Sequence, residues 1–171
     1  TNISILQGMS PLQMREFMLD SDVRVYEPGE VVFERGARED SLFAIAEGSV
    51  LVEVDPSDPS VTVPIGAGEI FGEVGLISGR TRGATVRAGE RSIIVEISRL
   101  AALRLQRQAP SAREAITRIS IERQLLQLFK SGLTKEDVAE VVAGAKVETV
   151  KAGDALIKEG EDGRDIFVVR S

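Results

Sequence analysis

Apolar and polar positions change rhythm twice along the chain. In residues 10–19 (SPLQMREFML) the spacing suits a short amphipathic helix, with Ser10 as N-cap, Pro11 at the first helical position and Leu12, Phe17 and Met18 facing inward. From residue 23 the period drops toward two. DVRVYE, VVFE, LFAIAE, SVLVEV, VTVPI, GATVRA and SIIVEI are short β-rich runs, punctuated by Pro28-Gly29, Gly36, Gly48, Pro56, Pro59, Gly66, Gly68 and Gly89. Short strands at such regular spacing predict a sandwich, jelly roll or barrel, with DPSDPS as a solvent-facing hairpin tip.

Helical spacing returns at Ser98. SRLAALRLQRQ carries Leu100, Leu103 and Leu105 and is expected to stop at Pro110. Ser111 and Glu114 read as a capping box for a longer helix with Ala112, Ala115, Ile116 and Ile119 on one side and Ile121, Leu125 and Leu128 on another. Thr134 and Asp137 open a further short helix with Val138, Val141 and Val142 inward.

A repeat lies on top of this pattern, at a separation of 124 residues. EPGEVVFERGAREDSLFAIAE (27–47) aligns without gaps with KAGDALIKEGEDGRDIFVVRS (151–171), pairing Gly29 with Gly153, Gly36 with Gly160 and Phe43 with Phe167. The same offset pairs Gly8 with Gly132 and Val23 with Val147. The expected organisation is one complete domain over 1–130, followed over 131–171 by the N-terminal part of a second, truncated copy.

Composition narrows the chemistry. Of 171 residues 43% are hydrophobic and only 4% aromatic, so the core must be built mostly from Val, Ile, Leu and Ala. The net charge of −6 argues against general binding to nucleic acid, which rewards a concentrated positive surface. Cys and His are absent, which removes disulfides, thiolate nucleophiles, Cys/His zinc sites and imidazole-dependent triads. No metal is expected. No apolar run approaches the ~20 residues of a membrane span, no signal peptide is visible, and a cytoplasmic location is expected. Six arginines between Arg99 and Arg123 read as a solvated helix face.

The segment GAGEIFGEVGLISGRTRGATV (66–86) carries the candidate chemistry. Its glycines miss the dinucleotide fingerprint by one residue and sit among strands, not in a βαβ unit. An anion cradle fits better. Gly72 allows close backbone approach, EVGLI can form one helical turn with free N–H groups, and Arg82 can grip phosphate oxygens bidentately beside the small Gly83 and Ala84. Glu73 can accept from a sugar hydroxyl, so the pair points to a sugar phosphate. A structural ion pair between Glu73 and Arg82 is the plainer alternative.

FGEVGLISGRTRGATV resembles the phosphate-binding cassette of cyclic nucleotide-binding domains, keeping Phe71, Gly72, Glu73, Leu76, Arg82, Ala84 and Val86 without a gap. Gly36, Phe43 and Gly48 are similar to that family's earlier strands. The resemblance implies an eight-stranded jelly-roll β-barrel, mainly β, with an N-terminal helix and C-terminal helices, followed by the start of a second such domain. It implies a ligand set of Phe71, Gly72, Glu73, Val74, Gly75, Arg82, Gly83 and Ala84. Glu73 would bond the ribose 2′-hydroxyl with Gly72 near the ribose, Arg82 would pair with the cyclic phosphate, and the N–H groups of Gly75 and Gly83 would contact phosphate oxygens. Gly75 and Gly83 stand where the family usually has Ala. Thr81 stands where it often has Pro, at an ordering cost of about 0.4–1 kcal/mol. Relatives preferring cyclic GMP commonly carry Thr after the cassette Arg; Gly83 has no hydroxyl, which leans toward cyclic AMP. The expected role is a sensor that passes ligand occupancy through its C-terminal helices to a further domain or protein effector. The alternatives are a degenerate module that binds only protein, and the sensor part of a transcription regulator, which would need a helix-turn-helix after the long helix. An enzyme would have to work with carboxylates alone, and no paired set is visible.

Overall fold

The computed structural model describes residues 3–7, 9–79, 81–128, 134–160, 162, 163, 165 and 167. Gly8, Gly132 and residues 168–171 of the repeat lie outside the described residues, as does the side chain of Leu128.

A short 3-10 turn (Ser4–Leu6) precedes helix α1 (Pro11–Leu19). The β-rich runs become β1 (Ser21–Tyr26), β2 (Val31–Phe33), β3 (Leu42–Glu47), β4 (Ser49–Glu53), β5 (Thr62–Gly66) and β6 (Ile70–Phe71). A six-residue helix α2 (Glu73–Ser78) comes next, then β7 (Thr85–Ala88) and β8 (Ser92–Ile97). Three helices follow: α3 (Arg99–Gln108), α4 (Pro110–Leu128) and α5 (Lys135–Gly144).

The strands lie in two antiparallel four-stranded sheets, ordered β1-β8-β3-β6 and β2-β7-β4-β5. This is the strand order of a double-sheet jelly roll. No ladder among the described residues joins the two sheets into a closed barrel. Pro64 sits on the edge strand β5, where its missing N–H breaks no central ladder. The β4–β5 hairpin tip is exposed and held by Asp55 and Asp58 carboxylates accepting from the backbone N–H groups of Ser57 (2.8 Å) and Ser60 (2.9 Å).

The period of two decides which core each side chain joins. On β3, Phe43 and Ile45 point between the sheets, where they pack with Phe33, Val50, Ile65, Phe71, Val86 and Ile94. Leu42 and Ala44 point to the outer face with Val95 and Ile97, under a cap formed by Ile5, Phe17, Leu76, Ala101, Ala102, Leu105, Ala112 and Ile116. Helices α1 to α4 therefore cover the β1-β8-β3-β6 sheet.

The amphipathic assignments shift in detail. Phe17 is buried as expected, whereas Leu12 and Met18 are exposed. In α3 the buried positions are Ala101, Ala102 and Leu105, while Leu100 and Leu103 face outward. Ala101, Ala102 and Leu105 join the core cluster that covers the outer face of the sheet. Ser98 caps α3 by accepting from the Ala101 N–H at 3.2 Å. Pro110 does not merely stop α3; it opens α4, whose first bond runs from the Arg113 N–H to the Ala109 carbonyl (3.2 Å). Ser111 consequently falls inside the first turn, and the expected Ser111–Glu114 box is replaced by proline at the helix start. Val138 and Val142 of α5 are buried against Leu125 and Ile121 of α4, while Val141 faces solvent.

The repeat has a counterpart in local geometry. Ser10 with Gln13, and Thr134 with Asp137, each close a full capping box 124 residues apart. Gly29 and Gly153 adopt φ of +85° and +96°, Gly36 and Gly160 +84° and +89°. In both turns the fourth residue's N–H donates to the first residue's carbonyl at 3.0 Å: Glu30 to Glu27 and Asp154 to Lys151. Beyond the turns the two repeat segments diverge. Residues 145–160 contain no strand, and Val147, Val150, Leu156 and Ile157 are exposed. In the first repeat segment β2 pairs with β7, and the described residues of 134–167 form no strand that could take the place of β7.

Candidate functional site

The cassette runs from β6 through α2 to β7. Phe71 anchors its start in the inner core, its ring stacked on Phe43 (centroids 5.1 Å, planes 13° apart) and tilted against Phe33 (5.8 Å). Gly72 then turns the chain into α2 with φ +82°, a region that costs a side-chain-bearing residue. A Cβ there would lie 2.9 Å from Arg82 Nη1 and 3.1 Å from both the Phe43 ring and the Ser41 carbonyl. Glycine is thus required twice, by conformation and by the guanidinium beside it.

Arg82 is only 3% exposed. Its backbone is clamped to the turn after β2: the Arg82 N–H donates to the Ala37 carbonyl (2.9 Å) and the Gly36 N–H to the Arg82 carbonyl (2.8 Å). The side chain runs inward. Nη1 donates to the Gly72 carbonyl (3.0 Å) and Nη2 to the Ser41 carbonyl (2.8 Å), while the guanidinium carbon lies 4.3 Å above the Phe33 ring and 5.4 Å from that of Phe43. Nε is buried without a hydrogen-bond partner. No carboxylate forms an ion pair with Arg82 among the described residues. Burial pushes its pKa below the ordinary arginine value, and the more distant carboxylates of Glu39, Asp40, Glu96 and Glu73 only partly oppose this. The guanidinium stays charged at neutral pH. The site therefore holds a desolvated cation with unused donor capacity.

Glu73, in the first turn of α2, is 2% exposed. Its partner is Arg123 on α4, not Arg82: Arg123 Nη1 donates to Glu73 Oε2 at 2.7 Å, and Nη2 donates to the Ile70 carbonyl at 2.6 Å. The direct Glu73–Arg82 ion pair allowed by the sequence does not form. Gly75 is buried and Val74 exposed, while Gly83 is exposed and Ala84 half-buried. The eight cassette positions thus share one β6–α2–β7 segment, with the charges of Glu73 and Arg82 both turned inward.

Four contributors were not singled out from sequence. Phe33 supplies the ring face under Arg82, and Ser41 a carbonyl. Arg35 reaches across from β2's end to donate from Nη1 to the Gly83 carbonyl and from Nη2 to the Glu53 carbonyl (3.0 Å). Arg123 belongs to the run read as a solvated face. Arg99, Arg104 and Arg118 do sit there, paired with Asp40, Asp20 and Glu122, but Arg123 turns in. Its only local signal is spacing: Ile116, Ser120 and Arg123 form an i, i+4, i+7 stripe, and the first two are fully buried.

An open cleft at the α3–α4 elbow, lined by Leu103, Gln106, Arg107, Pro110 and Arg113, includes none of the cassette residues. Among the described residues no group of three His, Cys, Asp or Glu side chains is placed to hold a metal, and no helix is long and apolar enough to cross a membrane.

Residues 23–109, about half of the chain, match the cyclic nucleotide-binding domain family. The chain is 30% identical over 122 residues to a cyclic nucleotide-gated potassium channel of Rhizobium etli, covering 71% of this chain and 33% of the channel. It is 36% identical over 84 residues to the type II regulatory subunit of cAMP-dependent protein kinase from Drosophila melanogaster, covering 47% of this chain and 22% of the subunit. The chain thus spans a third or less of these relatives. Among solved structures, cAMP-bound PfPKA-R superposes with a TM-score of 0.63 at 23% identity, over 80% of this chain and 46% of that one, which supports the fold. With the cassette, the two-sheet architecture and the buried arginine in place, this chain belongs to the cyclic nucleotide-binding domain family.

Proposed function

We propose that the chain is a cyclic nucleotide sensor, with cyclic AMP as its preferred ligand, and that it acts by binding and not by catalysis. The observation that carries the reading is Arg82: a guanidinium 3% exposed, with no carboxylate in an ion pair among the described residues and with Nε unpartnered. A buried ion is costly unless paired, and a phosphodiester anion supplies the missing charge. Glu73 at the other end of the cassette takes the ribose 2′-hydroxyl, and the N–H groups of Gly75 and Gly83 take phosphate oxygens. Gly83 offers no hydroxyl beside Arg82, which favours cyclic AMP over cyclic GMP.

Occupancy passes to α3 and α4, which cover the outer face of the sheet that contains β6. A ligand that binds one arrangement of cassette and helices better than another shifts their populations. Residues 131–171 open a second module of the same kind. The paired capping boxes, the matched glycine conformations and the equal turn bonds at one offset support that reading. The effector is a further domain or protein, as the regulatory-subunit and channel relatives suggest by analogy.

Calorimetry with cyclic AMP on the wild type, Arg82→Ala and Glu73→Ala tests the proposal. The expected result is one ligand per chain for the wild type, loss of measurable heat for Arg82→Ala and weaker binding for Glu73→Ala. No heat with the wild type, or equal heat with all three, would sink it.

A further inference from the structure

Strand β1 ends its sheet: among the described residues it pairs with β8 and with no other strand. Its free edge is not blunted by proline, and its apolar positions are not covered. Val23 lies opposite Val95 and Val25 opposite Ile93, so both valines belong to the outer face of the sheet. The helical cap buries Val95 to 6% but leaves Val23 at 55% and Val25 at 51%. The apolar face therefore runs one strand further than its cover. On the other face, Asp22 stands directly opposite Glu96, a like-charge neighbour that destabilises a ladder. Arg24 reaches diagonally to Glu96 at 3.2 Å and stays largely exposed.

We propose that this edge is an interface between two copies of this chain, β1 pairing antiparallel with β1 about a two-fold axis at Val23. The charges select the register. A two-fold axis that continues a sheet stands perpendicular to it and keeps each face on its own side, so it must pass through a residue. Two such registers pair five residues of the strand, 21–25 or 22–26. Centred on Arg24, the second sets guanidinium against guanidinium. Centred on Val23, the first sets Asp22 against Arg24 of the second copy, twice, and Val23 against Val23 on the outer face. Asp22 then has a cation across the new ladder to offset Glu96 across the old one. A guanidinium has donors enough for both carboxylates. Strand β6 and the cassette lie at the opposite end of the same sheet, so the pairing leaves the candidate ligand site open and does not depend on the nucleotide reading.

Sedimentation velocity at low ionic strength tests the proposal, with protein from about 10 µM to about 1 mM so that contacts with millimolar Kd are populated. The wild type is expected to move from monomer toward dimer across this range. It should stop short of a tight dimer, because one strand pair buries less than the ~1,200–2,000 Å² of a stable interface. Asp22→Arg sets two cations against two cations, and Arg24→Asp two carboxylates against two. Each alone should associate at least about tenfold more weakly than the wild type. An equimolar mixture of the two restores both ion pairs and should recover association to within about threefold of the wild type. The double swap Asp22→Arg with Arg24→Asp reverses both pairs, puts a cation opposite Glu96, and should dimerise alone. A wild type monomeric at about 1 mM, or a dimer unchanged in either single variant, overturns the interface. Failure of both the mixture and the double swap to associate better than the single variants overturns the register at Val23.

Discussion

Arg82 and Glu73 close opposite ends of the cassette at nearly equal depth, 3% and 2% exposed, yet the fold treats their charges in opposite ways. Glu73 is neutralised from within the chain by a guanidinium at 2.7 Å. Arg82 has carbonyl dipoles and ring faces around it and no counter-ion among the described residues. Of the two buried charges, Arg82 is thus the one without an ion-pair partner among the described residues, a vacancy that the single negative charge of a cyclic phosphodiester would fill. The comparison teaches that a buried ion pair marks what the fold completes by itself, and a buried lone ion marks what it leaves for a ligand. Glu73 supplies a hydroxyl acceptor at no net charge, so the sugar end can be selective without repelling the phosphate.

The largest effects should come from removing each charge in turn. Arg82→Met keeps length and apolar contact but removes the buried cation. Cyclic AMP affinity is expected to fall by about 100-fold or more, the loss of two charge-assisted bonds, while urea unfolding of the ligand-free protein shifts by less than about 2 kcal/mol because an uncompensated charge leaves with its bonds. Arg123→Ala should show the reverse balance in the same urea experiment. It leaves Glu73 buried and alone, and should cost about 2 kcal/mol of ligand-free stability, below the range for a fully buried pair because Arg123 is partly exposed. Equal stability losses in the two variants would erase the distinction drawn between them.

Gly72→Ala should act next in size. It forces an L-residue to φ +82° and drives a Cβ toward Arg82 Nη1, so a destabilisation of about 1–2 kcal/mol is expected with a further loss of affinity from the displaced guanidinium. Chemical unfolding and calorimetry on the same sample separate the two. The smallest effect belongs to Phe33→Leu, which removes the nearer ring face under Arg82. Cation–π contacts are worth about 0.5–2 kcal/mol, so affinity should weaken several-fold while the preference for the 2′-hydroxyl, set at the Glu73 end, stays put. A change in that preference would show that the two ends are not independent.

How far the site was legible follows from where its residues lie. Phe71 to Val86 sit in one run, so the segment was legible from residue type, spacing and its resemblance to a known cassette, whereas the αL conformation of Gly72 emerged only from the structure. The strands were legible for the same local reason, as Leu42 to Ile45 show by alternating between two cores. Arg123 was not, because its partner is 50 residues upstream and its neighbours in sequence, such as Arg118, are surface arginines. In α3 the larger Leu100 and Leu103 face outward while Ala101, Ala102 and Leu105 join the core, a choice of face that the run of leucines did not specify. Pro110 carried two meanings, helix stop and first helical residue, and the fold uses the second. The repeat was legible in its glycines. Thr134 matching Ser10 as a capping residue became apparent only once both boxes were seen closed.

The most direct test of the buried-cation account is a crystal structure of this chain with cyclic AMP. The account predicts a phosphate oxygen within hydrogen-bonding distance of the Arg82 guanidinium and the ribose 2′-hydroxyl on Glu73, with Arg123 still bonded to that carboxylate. A nucleotide seated elsewhere, for instance against Arg107 and Arg113 at the α3–α4 elbow, with Arg82 still held by the Gly72 and Ser41 carbonyls alone, would contradict it.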